Sequence, residues 1–384
     1  MRTLITSDCH VSTPWELLNE LPESYRTYFR RIEHREDGDY VVAPGARATM
    51  GGTMDGPPAT KIDAHGALRM AVGACDEAEP SFEPAQVLAD LERDGVTGAV
   101  LITGLGVPQG DPERPVDADI AYARLVNDWN AEHWAPYLDR VAPGIVLPYR
   151  DVAATVAELE RCAALGMRPA LMPDGIGDAP YHLPMWEPLW EAASALQIPI
   201  TMHVGTRQTP AQRGAGADAA AGAGLYKGLA FVGWYQQCWM MGETLGWLTF
   251  SGVFERHPDL HVVMTEGYAG WLGFAMEFWD HHWDSRFGSQ HELNVGELAP
   301  KLDAPPSYYL KRQAHATFMW DPTAITLRER TGIDCLLWGN DYPHREGSFP
   351  WSQEWVDKQF AGVPEDEVVA MTSGNAAKLF KITV

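Results

Sequence analysis

Five side chains in this sequence are of the types and at the spacings that could do chemistry together. Asp8 and His10 stand two apart in TSDCHV, so an extended strand turns both to one side and Cys9 to the other. His203 closes the run IPITMH, Glu266 closes VVMTE, and LLW runs on into GNDYPH, which carries Asp341. Where a fold gathers strand ends, these N and O donors converge. Imidazole with carboxylate suits Zn²⁺, Mn²⁺ or Fe²⁺ far better than Mg²⁺ or Ca²⁺. Zn²⁺ is the first choice, with Mn²⁺ and Fe²⁺ behind it. Taken singly, each residue has an ordinary structural explanation. Asp8 could cap a turn, His203 could be a hydrogen-bonded strand end, Glu266 could cap the helix after Gly267, and Asp341 could open the turn at Tyr-Pro. Four such coincidences are harder to accept than one metal site.

The elements that must position these residues follow a rhythm of short apolar run, turn and helix-like stretch. Strands are expected at 4–7, 99–103, 142–147, 169–172, 198–203, 261–265, 314–318 and 335–338. Most do not alternate, as strands covered on both faces of a parallel sheet would not. Helices are expected at 83–93, 120–138, 152–165, 185–196, 268–283 and 322–329; Pro84 and Gly95 flank the first in the usual order for helix ends. Eight such units give an α/β (β/α)₈ TIM barrel spanning 1–384 as one domain, with chemistry at the carboxyl ends of its strands. A doubly wound open sheet is the other arrangement, but no GxGxxG follows the first strand. Two segments break the rhythm. Residues 33–80 read as an insertion after strand 1. Residues 205–228 follow strand 5, and Ala and Gly fill 11 of the 14 positions from 211 to 224, so this loop is a candidate lid.

The 384 residues carry a net charge of −23, which disfavours nucleic acid as a partner and favours a small-molecule substrate. No run of about 20 apolar residues suggests a membrane span, and the N-terminus lacks a signal-peptide core. Five scattered cysteines without a CxxC pair fit a reducing, cytoplasmic compartment. The fifteen Trp residues suggest a homo-oligomer, a dimer being the simplest.

The order of motifs resembles the amidohydrolase-related family that includes aminocarboxymuconate-semialdehyde, resorcylate and vanillate decarboxylases. The matching pieces are Asp8-Cys9-His10-Val11, Ala89-Asp90-Leu91-Glu92-Arg93-Asp94-Gly95-Val96, His203-Val204-Gly205, Phe254-Glu255-Arg256-His257-Pro258, Glu266-Gly267-Tyr268-Ala269-Gly270-Trp271, Trp338-Gly339-Asn340-Asp341-Tyr342-Pro343-His344 and Asn375-Ala376-Ala377-Lys378-Leu379-Phe380. The resemblance implies a metal-dependent TIM barrel whose metal shell is Asp8, His10, His203 and Asp341. The decarboxylases carry a His after strand 6 as an acid/base group; this chain has Glu266 there.

Three functions follow, in this order. The first is hydrolysis of a small cyclic or aromatic substrate by metal-activated water, with Asp341 as proton carrier, Glu266 as second base and His203 as a ligand that polarises the substrate. The second is non-oxidative decarboxylation of an aromatic or unsaturated acid, Asp341 protonating the carbon. In that scheme a second carboxylate facing an anionic substrate must be protonated or paired, and Arg207 and Arg47 are candidate anion partners. The third is an inactive barrel that only binds.

Overall fold

The computed structural model describes residues 2–29, 31–42, 59–61, 74–103, 114–207, 230–283 and 302–383. In chain order its strands are β1 Leu4–Val11, β2 Arg31–Arg35, β3 Gly38–Val42, β4 Ala59–Lys61, β5 Val96–Thr103, β6 Val141–Pro143, β7 Ile145–Val146, β8 Ala170–Pro173, β9 Ile200–His203, β10 Val262–Thr265, β11 Ala314–Phe318 and β12 Leu336–Trp338. All eight expected barrel strands form, and every residue of β1 and of β8 to β12 is buried, as strands sandwiched between layers must be.

The parallel ladder runs β1-β5-β6 and then β7-β8-β9-β10-β11-β12. Gly144 alone separates β6 from β7: β6 pairs back to β5 and β7 forward to β8, so together they fill the third barrel position. The last gap, between β12 and β1, is bridged just beyond the end of β12. Asp341 N donates to Asp8 O at 3.0 Å and His10 N to Tyr342 O at 2.6 Å. The backbone that closes the circle is therefore the backbone that carries three of the expected ligands. These neighbours match the α/β barrel inferred from the sequence.

Strand 1 runs four residues past its expected end. It is also irregular: Thr6 faces Ala99 and Cys9 faces Leu101, so three steps on β1 oppose two on β5. Such a bulge re-aims a side chain, here around Asp8. Gly339 lies against the same spot, where a Cβ would stand 2.8 Å from Asp8 Cβ.

The expected helices form at Pro84–Arg93, Val116–Trp134, Val152–Ala164, Glu187–Leu196, Gly270–Trp283 and Pro322–Thr331. One long helix, Ala230–Phe250, was not expected. Of the insertion, the described part contains an antiparallel sheet β2-β3-β4, and it returns to the barrel where Cys75 N donates to Pro343 O at 2.8 Å. Of the candidate lid, residues 208–228 lie outside the described residues, as does Arg47. Among the described residues no helix is long and apolar enough to cross a membrane.

Candidate metal centre

Each ligand candidate arrives at the mouth for a local reason. Asp8 and His10 sit on the bulged end of β1. His203 ends β9 in register with Thr265 of β10 and Pro173 of β8, so Glu266 stands one residue above that row. Glu266 and Asp341 both have left-handed backbones, φ +59° and +55°. A Glu rarely adopts that conformation, and strain of this kind gathers where a side chain must be aimed. Gly267 follows Glu266 because Met241 presses there: a Cβ would meet its sulfur at 2.2 Å.

The side chains converge. His10 Nε2 lies 3.2 Å from Asp8 Oδ1, 3.2 Å from Asp341 Oδ1 and 3.1 Å from His203 Nε2. His203 Nε2 lies 3.2 Å from Glu266 Oε2 and 3.8 Å from Asp8 Oδ1. One imidazole N–H cannot serve three partners, so this is not a hydrogen-bond network satisfied on its own. Asp8, His10, His203 and Glu266 bring one donor atom each within 4.8 Å of one another, as do His10, Glu266, Asp341 and His344.

Two further observations fit a cation. Asp8 Oδ1, Asp8 Oδ2 and Asp341 Oδ2 are buried without a hydrogen-bond partner among the described residues, and the positive charge beside these two carboxylates is the His10 imidazolium, whose place a bound cation would take. Second, His203 Nδ1 lies 2.8 Å from Val204 O. A carbonyl only accepts, so Nδ1 carries the proton and the Nε2 lone pair faces the cluster. Fixing the tautomer from behind in this way is what metal-binding imidazoles do.

The electrostatics separate the acids. Burial opposes ionisation of Asp341, but His344, whose Nδ1 donates to Asp341 Oδ1 at 2.8 Å, and His10 hold its carboxyl well below the usual range. Burial, then the charges of Asp341 and Asp8, push Glu266 well above its ordinary value. Burial lowers His203 to about 4, with His10 adding to that effect and Asp8 opposing it. Burial also works against a charge on His10, yet the two aspartates hold its proton up to about 10.

Glu266 does not cap the following helix. Asp321 does: its Oδ2 accepts from Ala269 N at 2.9 Å and Gly270 N at 2.8 Å, and its Oδ1 from Ala324 N at 2.9 Å. Arg207, expected as an anion partner, is engaged by groups of the protein itself. Its guanidinium is buried against Asp174 and Glu243, with Nη1 2.6 Å from Glu243 Oε2, and donates to Asp174 O, Thr244 Oγ1 and Met240 O. Those contacts pin the ends of β8 and β9 to helix Ala230–Phe250 and leave the cluster to other residues. His344 is the residue that sequence reasoning left unassigned. Its signal was the spacing of three from Asp341, which a tight turn converts into contact.

The model of the amidohydrolase family matches residues 7–382, and the chain belongs to that family. It is an enzyme of the amidohydrolase superfamily. Among characterised relatives, gamma-resorcylate decarboxylase of Rhodococcus jostii (strain RHA1) is 28% identical over 316 residues, covering 73% of this chain and 83% of the relative. Among solved structures, 5-carboxyvanillate decarboxylase from Sphingomonas paucimobilis matches with a TM-score of 0.68 at 21% identity over 99% of both chains. Dihydroxybenzoic acid decarboxylase from Polaromonas sp. JS666, with bound manganese and the inhibitor 2-nitroresorcinol, matches with a TM-score of 0.66 at 18% identity over 100% of this chain and 98% of that one. A divalent metal is the cofactor class these findings support; zinc in particular is not favoured by them.

Proposed function

We propose that the chain is a metal-dependent decarboxylase of a hydroxylated aromatic acid, the second of the three readings drawn from the sequence. What carries this is the relatives' reaction, matched along three quarters of the chain, together with a donor set that fits a divalent ion. Hydrolysis keeps only the support of superfamily membership. Asp8, His10, His203 and Asp341 would hold the metal, with Mn²⁺ the first candidate because oxygen donors are as numerous as nitrogens in this shell. Once bound, the ion would supply a Lewis acid for the carboxylate and the neighbouring hydroxyl of the substrate.

The chain's own residues do the rest. Tyr268, Phe318 and Met319 line the pocket beside Asp8 and Glu266 and are the apolar groups nearest the cluster there. Glu266, whose proton affinity burial and the two aspartates raise, would offer its proton to the substrate carboxylate, which removes the repulsion a second anion would bring. Asp341, kept ionised by its imidazole neighbours, would take the hydroxyl proton and deliver it to the ring carbon bearing the carboxylate. The C–C bond then breaks, its electron pair restores the ring as a phenolate, CO₂ leaves, and a solvent proton converts the phenolate to the phenol. Two acids whose environments drive their proton affinities apart are suited to such a division of roles. The test is incubation of Mn²⁺-loaded protein with 2,6-dihydroxybenzoate and related hydroxybenzoates. Equimolar CO₂ and decarboxylated phenol support the reading; ester or lactone cleavage without CO₂ from any hydroxybenzoate returns hydrolysis to first place.

A further inference from the structure

We propose that Asp90 and Asp94 are positioning residues for the metal loop: from a helix outside the barrel they hold the two neighbours of Asp341 and so set the direction of its carboxylate. The proposal rests on the metal reading above. Asp90 lies on helix Pro84–Arg93 and Asp94 caps its C-terminal end, one turn further on, and both are buried. Tyr342 Oη donates to Asp90 Oδ2 at 2.8 Å. Asn340 Nδ2 donates to Asp94 Oδ2 at 3.0 Å. Asn340 and Tyr342 flank Asp341 directly.

The hold is directional because Asp341 has little slack. Its φ of +55° is a conformation that an Asp tolerates and that a free loop would leave. Asn340 is fixed at three further points. Its backbone N–H donates to Thr6 Oγ1 at 2.9 Å, its Oδ1 accepts from Tyr342 N at 3.2 Å, and its O accepts from Ser348 N at 3.0 Å. Thr6 Oγ1 in turn donates to Asp8 O at 2.8 Å, so the same clamp reaches the bulge that aims Asp8. Asp94 also gathers Ser352, accepting from its N at 2.8 Å and from its hydroxyl. The Ala89–Val96 motif thereby gains a role at the metal site. Its two aspartates act there through the backbone on either side of a ligand.

A clamp that only stabilised the fold would change melting and nothing else. The experiment therefore reads the metal. The full chain is stripped with a chelator and titrated with Mn²⁺, following the free-ion EPR signal. Co²⁺-loaded protein is examined by its visible absorption. The variants are Tyr342→Phe, Asp90→Asn and Asp94→Asn. The expected result is a Kd raised roughly 10-fold or more in Tyr342→Phe and Asp94→Asn, the scale of lost outer support for a ligand, with shifted Co²⁺ bands, and a smaller rise in Asp90→Asn. Asp90 also accepts from Glu79 N at 3.0 Å and from Arg93 at 3.1 Å, and Asp90→Asn keeps an oxygen that can accept from Tyr342, so Tyr342→Phe is the cleaner break and Asp90→Asn should have the smaller effect. Should Asp94→Asn fail to fold, Tyr342→Phe, which deletes one hydroxyl, carries the test. Wild-type protein that binds Mn²⁺, with Tyr342→Phe and Asp94→Asn matching its Kd and its Co²⁺ spectrum, would overturn the proposal. Wild-type protein that binds no divalent ion would overturn the metal reading itself.

Discussion

Glu266 is the residue at which hydrolysis and decarboxylation part. In a decarboxylase that needs it neutral, Glu266→Gln keeps a donor in place, so kcat should fall less than about tenfold while Glu266→Ala falls further. In a hydrolase that needs a base there, Gln should cost roughly 10²–10⁴-fold. Steady-state rates of the two variants decide it. His10 makes a second prediction. Its proton, held to about 10 by Asp8 and Asp341, must leave when a cation takes the site. Apparent metal affinity should therefore rise by up to about tenfold per pH unit below that value, with about one proton released per ion. Calorimetry in buffers of different ionisation heat measures this directly, and affinity flat between pH 6 and 8 would contradict it. The convergence of Asp8, His10, His203 and Asp341 was legible because residues at strand ends have a direction that the strand imposes. The contacts of His344 with Asp341 and of Arg207 with Asp174 and Glu243 were not legible, because each depends on a turn or a neighbouring helix whose path no local pattern records.

At the scale of elements, the eight barrel strands were legible for a physical reason: strands buried on both faces read as apolar runs bounded by turns. Their ends were less so, since the bulge in β1 answers to Gly339 packing and not to the local sequence. Helix Ala230–Phe250 is rich in apolar residues without a 3.6-residue stripe, so no helix was expected there. The far end of the barrel carries a titratable pair of its own. His315 Nδ1 donates to Asp334 O at 3.0 Å, which leaves its Nε2 to accept from His261 Nδ1 at 3.0 Å. Burial, then His261, lower His315 to about 3. A histidine depressed in the fold takes its proton first in the unfolded chain. Stability from this pair is therefore complete above about pH 6.5 and is lost as pH falls toward 3, at up to about 1.4 kcal/mol per unit. His315→Gln should flatten the acid limb of a melting-temperature profile between pH 6 and 4. An unchanged slope would show that the pair is not what titrates. Asp321 offers a third check. As the acceptor for the first turns of both Gly270–Trp283 and Pro322–Thr331, Asp321→Ala should destabilise by about 1–2 kcal/mol, with Asp321→Asn much milder. Chemical denaturation compares the two.

The whole molecule carries a net charge of −23 and is proposed to act on an anion. The general field should slow encounter, so kcat/KM for a hydroxybenzoate should rise with salt as the screening length shortens from ~30 Å at 0.01 M to ~8 Å at 0.15 M. A fall would mean that local positive potential at the mouth outweighs the surface. The central claim is narrower: a barrel mouth built from Asp8, His10, His203 and Asp341 exchanges a ring carboxylate for a proton. Its most direct test is the reaction in D₂O with Mn²⁺-loaded protein and 2,6-dihydroxybenzoate, read by NMR and by CO₂ release. The account predicts resorcinol with one deuterium at the carbon that bore the carboxylate, formed in step with CO₂ and abolished in Asp341→Asn. Intact substrate alongside a fully metal-loaded enzyme, across the hydroxybenzoates tried, would contradict it.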